Sequence, residues 1–60
     1  MWARVIKEEC TPGNSRIYKL GEMLILKESA LEHFYTLYTR DKDGQSIIDL
    51  IKKECVEIIP

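Results

Sequence analysis

The chain has no excess of positive charge, one histidine, two cysteines and no long apolar run, and each shortage removes a class of function. Nine Lys and Arg stand against ten Asp and Glu, for a net charge of −1, so no overall field gathers phosphates. The cations are scattered, with Lys52-Lys53 as their one adjacent pair. A nucleic-acid binder normally carries a basic stripe, because phosphate contacts supply much of its affinity. Cys10 and Cys55 are far apart in sequence and are not the dense disulfide framework of a secreted mini-protein. The first residues, Met1 to Glu9, turn acidic without the apolar core of a signal peptide. Apolar runs fall far short of the roughly 20 residues that a membrane-spanning helix needs. A cytoplasmic protein with reduced thiols and no membrane attachment is the expectation.

Chemical signatures are equally scarce. His33 with Cys10 or Cys55 supplies a base and a thiol, but no third residue orients them, and catalysis is recognised by complete constellations. The same three side chains fall short of the usual four ligands of a structural zinc site. Asp41, Asp43 and Gly44 begin like a calcium loop, yet the later ligands and the closing Glu are absent, and a hairpin turn explains them. No enzyme, no cofactor and no metal are expected.

What is present is a globular composition on a short chain. Of the 60 residues, 45% are hydrophobic and 32% charged, which separates the chain from the low-hydrophobicity, high-charge class of disordered segments. A chain of this length buries only about 60% of the surface that its unfolded form exposes, so nearly every apolar side chain must serve the core. Residues 1–60 are read as a single small domain.

Turn chemistry divides the chain into short β-forming segments. Residues 2–8 carry Val5 and Ile6 between charges and predict a first strand. Thr11-Pro12-Gly13-Asn14-Ser15 predicts a turn or irregular loop. Residues 17–27 hold Tyr18, Leu20, Leu24 and Leu26 around Gly21-Glu22, where a glycine marks a bend or turn. His33 to Thr39 is aromatic or β-branched almost throughout and predicts the strongest strand. Asp41-Lys42-Asp43-Gly44 predicts a hairpin loop, with Gly44 free to take a positive φ. Two apolar runs then follow, Ile47-Ile48-Asp49-Leu50-Ile51 and Cys55-Val56-Glu57-Ile58-Ile59, separated by Lys52-Lys53-Glu54.

Two segments also fit a helix. Ser29-Ala30-Leu31-Glu32 has the form of a capping box and would start a helix across residues 30–38. Ile47, Ile48, Leu50, Ile51 and Cys55 fall on one face at helical spacing behind Ser46 as an N-cap. The alternative architecture is therefore α+β, a three-stranded antiparallel sheet with a helix near residues 46–55. The all-β reading is preferred, because the last run is largely β-branched and follows a hairpin signal.

The order of these segments resembles an SH3-like barrel over nearly the whole chain. Tyr18-Lys19-Leu20-Gly21-Glu22-Met23-Leu24-Ile25-Leu26 is similar to that family's diverging turn and second strand, and Phe34-Tyr35-Thr36-Leu37-Tyr38 to its third. Asp41 to Gly44 is similar to the distal hairpin, and Leu50-Ile51-Lys52-Lys53-Glu54-Cys55-Val56 to the fourth strand, the 3₁₀ turn and the start of the fifth. The resemblance implies a five-stranded barrel with Tyr18, Leu24 and Leu26 in a common interior. It extends to small barrels of bacterial and bacteriophage proteins, and so implies a small regulator of phage or mobile-element type. The departures bear on function. Peptide-binding SH3 domains line a groove with paired tyrosines, a tryptophan opening the third strand, and a Pro and Tyr at the 3₁₀ turn. Here Val5-Ile6-Lys7-Glu8, Phe34, Lys52 and Cys55 occupy those places, so the resemblance carries the scaffold and not proline-motif recognition.

The expected activity is binding without chemistry, by occluding or bridging a protein partner. Trp2, Tyr35, Tyr38 and His33 are the candidate contact residues, since aromatic side chains anchor interfaces more than any other class. The expected face combines the loop of residues 9–16, residues 29–33 and the exposed side of the third strand. The rival is nucleic-acid association through Arg40, Lys42, Lys52 and Lys53 with stacked tyrosines. A self-associating subunit is the third reading, because exposed strand edges favour oligomers.

Overall fold

The structure, a computed structural model, describes residues 1–14 and 16–60. Ser15 of the expected turn lies outside the described residues. Five strands form one antiparallel sheet: β1 Trp2–Val5, β2 Met23–Glu28, β3 Phe34–Arg40, β4 Ser46–Lys52 and β5 Val56–Ile59. Their spatial order is β4-β3-β2-β1-β5. Every pairing is antiparallel. Short 3₁₀ turns at Pro12–Asn14 and Lys53–Cys55 are the helical content. No helix among the described residues is long and apolar enough to cross a membrane.

The all-β expectation holds in its coarse form, five antiparallel strands. β4 and β5 are the two edges of the sheet, which does not close into a barrel among the described residues. The sheet instead bends around its own interior. β2 is the bend: Met23, Leu24 and Ile25 pair with β1, while Leu26, Lys27 and Glu28 pair with β3. Two short sheets sharing one strand bury a common face without edge-to-edge hydrogen bonds. The interior gathers Ala3, Val5, Tyr18, Leu24, Leu26, Leu37, Ile51 and Val56 with the two cysteines, and Tyr35 packs against it.

Both helical alternatives are overturned. In residues 29–33, Ser29 Oγ accepts from the Leu31 amide two residues on, at 3.0 Å, and the Phe34 amide returns to the Leu31 carbonyl at 3.3 Å. That is a side-chain-stabilised turn, a use of serine that competes with helix capping. The chain then enters β3, where its β-branched and aromatic side chains suit a pleated surface. Residues 46–52 pair with β3 along their whole length. As a strand, the run sends Ile47, Asp49 and Ile51 to one face and Ser46, Ile48, Leu50 and Lys52 to the other.

The β3–β4 hairpin is as its residues predict. Asp41 Oδ1 accepts from the amides of Asp43 and Gln45, both at 2.9 Å, while the Gly44 amide donates to the Asp41 carbonyl at 3.0 Å. Gly44 takes φ 82°, a conformation that costs a side-chain-bearing residue about 1–2 kcal/mol. Gly21, at φ 83°, turns the chain into β2, and its amide donates to the Val5 carbonyl at 2.8 Å.

Candidate functional site

Strand alternation sorts the side chains into an inward face, which forms the core, and an outward face left to solvent. Trp2 lies opposite Ile25 on β2 and Ile59 on β5. Tyr38 lies opposite Ile48 on β4. The pairing of β2 with β3 begins at Leu26 and Leu37, so Ile25 and Tyr38 flank the bend of β2, where Ile25 pairs with β1. An apolar row therefore runs over the outward side of the five strands, with Ile48 and Tyr38 on one side of the β2 bend and Ile25, Trp2 and Ile59 on the other. Four of its members are more than half exposed: Ile48 at 63%, Tyr38 at 59%, Ile25 at 56% and Trp2 at 51%. Isolated exposed apolar residues are ordinary, but a contiguous set marks a surface that something else covers.

The sequence-predicted contact residues divide between two places. Trp2 and Tyr38 belong to this outward row. Tyr35 has the opposite parity, is half-buried against the core, and carries Lys53 Nζ 4.9 Å from its ring centroid. His33 is exposed at the rim of a depression of about 360 Å³ lined with Phe34, Lys52, Lys53 and Glu54. Backbone bonds hold this second area together: the Lys53 amide donates to the His33 carbonyl at 2.9 Å and the Lys52 amide to the Cys10 carbonyl at 2.8 Å. The segments around Cys10 and His33 thus flank the Lys52-Lys53 step. Ile25 and Ile48 were missed from sequence. Their signal is that Met23-Leu24-Ile25-Leu26 and Ile47-Ile48 are apolar at both parities, whereas a strand with one wet face alternates.

The cations divide similarly. Arg40, two residues beyond Tyr38, and Lys52, four beyond Ile48 at the His33 depression, point outward, joined by Arg4 and Lys27, which sequence reasoning did not single out. Lys27 Nζ sits 5.2 Å from the Tyr38 ring centroid, within cation–π range. Lys42 is in the hairpin loop, and Lys53 turns toward Tyr35 and Glu28, whose Oε2 is 3.8 Å from its Nζ.

Inside the fold, one polar cluster stands out. The Tyr18 hydroxyl donates to Asp49 Oδ2, and Arg16 Nε lies 3.0 Å from the same oxygen. Asp49 faces inward from β4 with its side chain 13% exposed, so these partners offset its burial. Burial and the Asp49 bond push the Tyr18 phenol well above its ordinary range. Thr11 is buried, its hydroxyl donating to the Arg16 carbonyl at 2.8 Å and accepting from the Arg16 amide at 3.1 Å. These bonds position the loop, and Arg16 and Tyr18 line a depression of about 410 Å³ together with Ile17, Glu22, Thr39 and Arg40.

The two thiols are buried beside each other. Cys10 Sγ donates to the Lys7 carbonyl at 2.7 Å, and Cys55 Sγ to the Glu9 carbonyl at 3.4 Å. Burial first, and the neighbouring Cys55 second, push the Cys10 thiol up to about 11. Such a thiol stays protonated at neutral pH and is a poor nucleophile. His33 is exposed and the thiols are interior, and no group of three or more potential metal ligands is assembled among the described residues. Comparison with family models, with curated proteins and with solved structures found no significant match.

Proposed function

We infer that this protein is a non-catalytic binding module that docks a protein partner on the outward face of its sheet. The observation that carries the reading is the row Ile48, Tyr38, Ile25, Trp2, Ile59, left in solvent by a domain too small to waste apolar side chains. Tyrosine and tryptophan at its centre are the residue types that dominate interface energies. The strand order and the 3₁₀ turn before β5 support kinship with SH3-like small barrels, as their resemblance in sequence does. The proposed action is occlusion or bridging of the partner. A small regulator of phage or mobile-element type, working where thiols stay reduced, fits this reading.

The test is capture by the immobilised protein and by variants shown to be folded. Tyr38→Ala and Ile25→Ser are expected to weaken capture about thirtyfold or more, the usual effect of truncating an interface hot spot. Leu20→Ser, which removes an apolar side chain 59% exposed in the turn before β2, is expected to leave it unchanged. Undiminished capture by folded Tyr38→Ala and Ile25→Ser would reject the face. A second reading, association with single-stranded nucleic acid, draws on Trp2 and Tyr38 standing beside outward cations, and a salt-dependent titration with an oligonucleotide tests it.

A further inference from the structure

We propose that the occupant of the outward face is an acidic, amphipathic segment of a partner protein, its apolar side chains seated on the row and its carboxylates on Lys27, Arg40 and Lys52. This rests on the reading of that face as the docking surface and adds the chemistry of the partner.

Charge on this protein is segregated in a way that the net value of −1 conceals. Every outward position of β1 to β4 is basic, apolar or hydroxyl-bearing: Arg4, Lys27, Arg40 and Lys52 are there, and no Asp or Glu is. The one outward carboxylate is Glu57 on β5, directly across from Arg4. The remaining acids lie in turns and at strand ends, apart from the inward Asp49. Lys27, Arg40 and Lys52 have no carboxylate within ion-pair distance among the described residues. Lys27 stands over Tyr38, and Arg40 follows Tyr38 by two on the same strand face with its guanidinium donating to the Gly44 carbonyl at 2.9 Å, so cations without a carboxylate partner border the apolar row.

This pattern discriminates among occupants. A second copy docked symmetrically would set the same cations against themselves, because a two-fold interface brings one patch onto its own image. A nucleic-acid strand wants stacking surfaces, yet Ile48, Ile25 and Ile59 make the row mainly aliphatic, and the acids in the surrounding turns repel a polyanion. Apolar anchors flanked by carboxylates satisfy the row and the cations together, and complementary charge also suppresses wrong partners.

Trp2, the one tryptophan of the chain, lies in the row and reports occupancy by its own emission. The probes are a synthetic peptide alternating Leu with Glu, its Leu/Lys counterpart, and an oligothymidine, each titrated at low and high salt. The Leu/Glu peptide is expected to shift Trp2 emission and to weaken as salt rises. The double variant Lys27→Glu with Arg40→Glu is expected to bind it about tenfold less well, since two exposed attractions become two repulsions. Lys19→Glu, away from this face, is expected to match the unaltered protein. Equal binding of the Leu/Lys peptide would overturn the acidic partner and leave the face standing. Tighter binding of oligothymidine would overturn both in favour of nucleic acid. No emission change with any probe would also overturn both, and sedimentation showing a concentration-dependent dimer would then assign the row to a second copy.

Discussion

Removing the Asp49 carboxylate should take away a substantial share of this protein's stability, although Asp49 interrupts an otherwise apolar run. Its Oδ2 accepts from the Tyr18 hydroxyl and pairs with Arg16 Nε at 3.0 Å. Asp49→Ala strands a phenol that is 9% exposed, which costs about 1–3 kcal/mol. It also removes an ion pair whose arginine is 41% exposed and which contributes under about 1 kcal/mol. The expected loss is therefore about 1–4 kcal/mol, against a total stability of roughly 3–9 kcal/mol for a domain of this length. Tyr18→Phe removes a hydrogen bond to a charged acceptor and should cost about 1.5–3 kcal/mol. With both groups gone nothing is left unpaired, so the double variant should lose about 1.5 kcal/mol less than the sum of the single losses. Asp49→Asn, which keeps an acceptor for Tyr18, should fall between Asp49→Ala and the unaltered protein. Urea unfolding followed by circular dichroism and Trp2 emission measures each loss. Single losses that add to within about 0.5 kcal/mol would show that hydroxyl and carboxylate do not stabilise one another.

Two further outcomes are expected. Raising pH should destabilise the fold: the Cys10 thiol is lifted from 9.0 to about 11, so its contribution is complete below about pH 9. It is lost as pH climbs toward 11, on the order of 2 kcal/mol, because the unfolded chain releases that proton first. Tyr18, raised from 10.0, acts in the same direction at higher pH. Thermal melts between pH 7 and 11 on the unaltered protein and on Cys10→Ala check this, and the same pH slope in both would refute it. Gly21→Ala should cost about 1–2 kcal/mol through its φ of 83° alone, since nothing lies within 4 Å of the added Cβ. A neutral effect on the urea midpoint would contradict that account.

Local chemistry carried the turns, while the expected strands over residues 2–8 and 17–27 are shorter, at Trp2–Val5 and Met23–Glu28. Asp41 followed by Asp43-Gly44 reads as a hairpin because the aspartate caps its own turn and the glycine supplies a positive φ, and both occur. The run of residues 47–51 was ambiguous by period, and pairing decided it: β3 offers a partner for every residue of Ser46–Lys52, which no lone helix can match. Asp49 then took an inward place that only Tyr18 and Arg16, from a loop some thirty residues away, make tolerable. The candidate site was half legible. Trp2 and Tyr38 were named for their residue type, but Ile25 and Ile48 became their neighbours only through register, and Tyr35 turned out to face inward by parity.

By itself the sequence determined a chain of β-forming segments and the turns between them, because those depend on residue type over a few positions, while pairing settled the last run as strand. Tertiary structure alone decided that the sheet stays open, that Cys10 and Cys55 lie side by side, and that the outward face is basic and apolar on a chain of net charge −1. Each of these depends on which strands meet and in what register, and a shift of one residue would send every side chain to the other face.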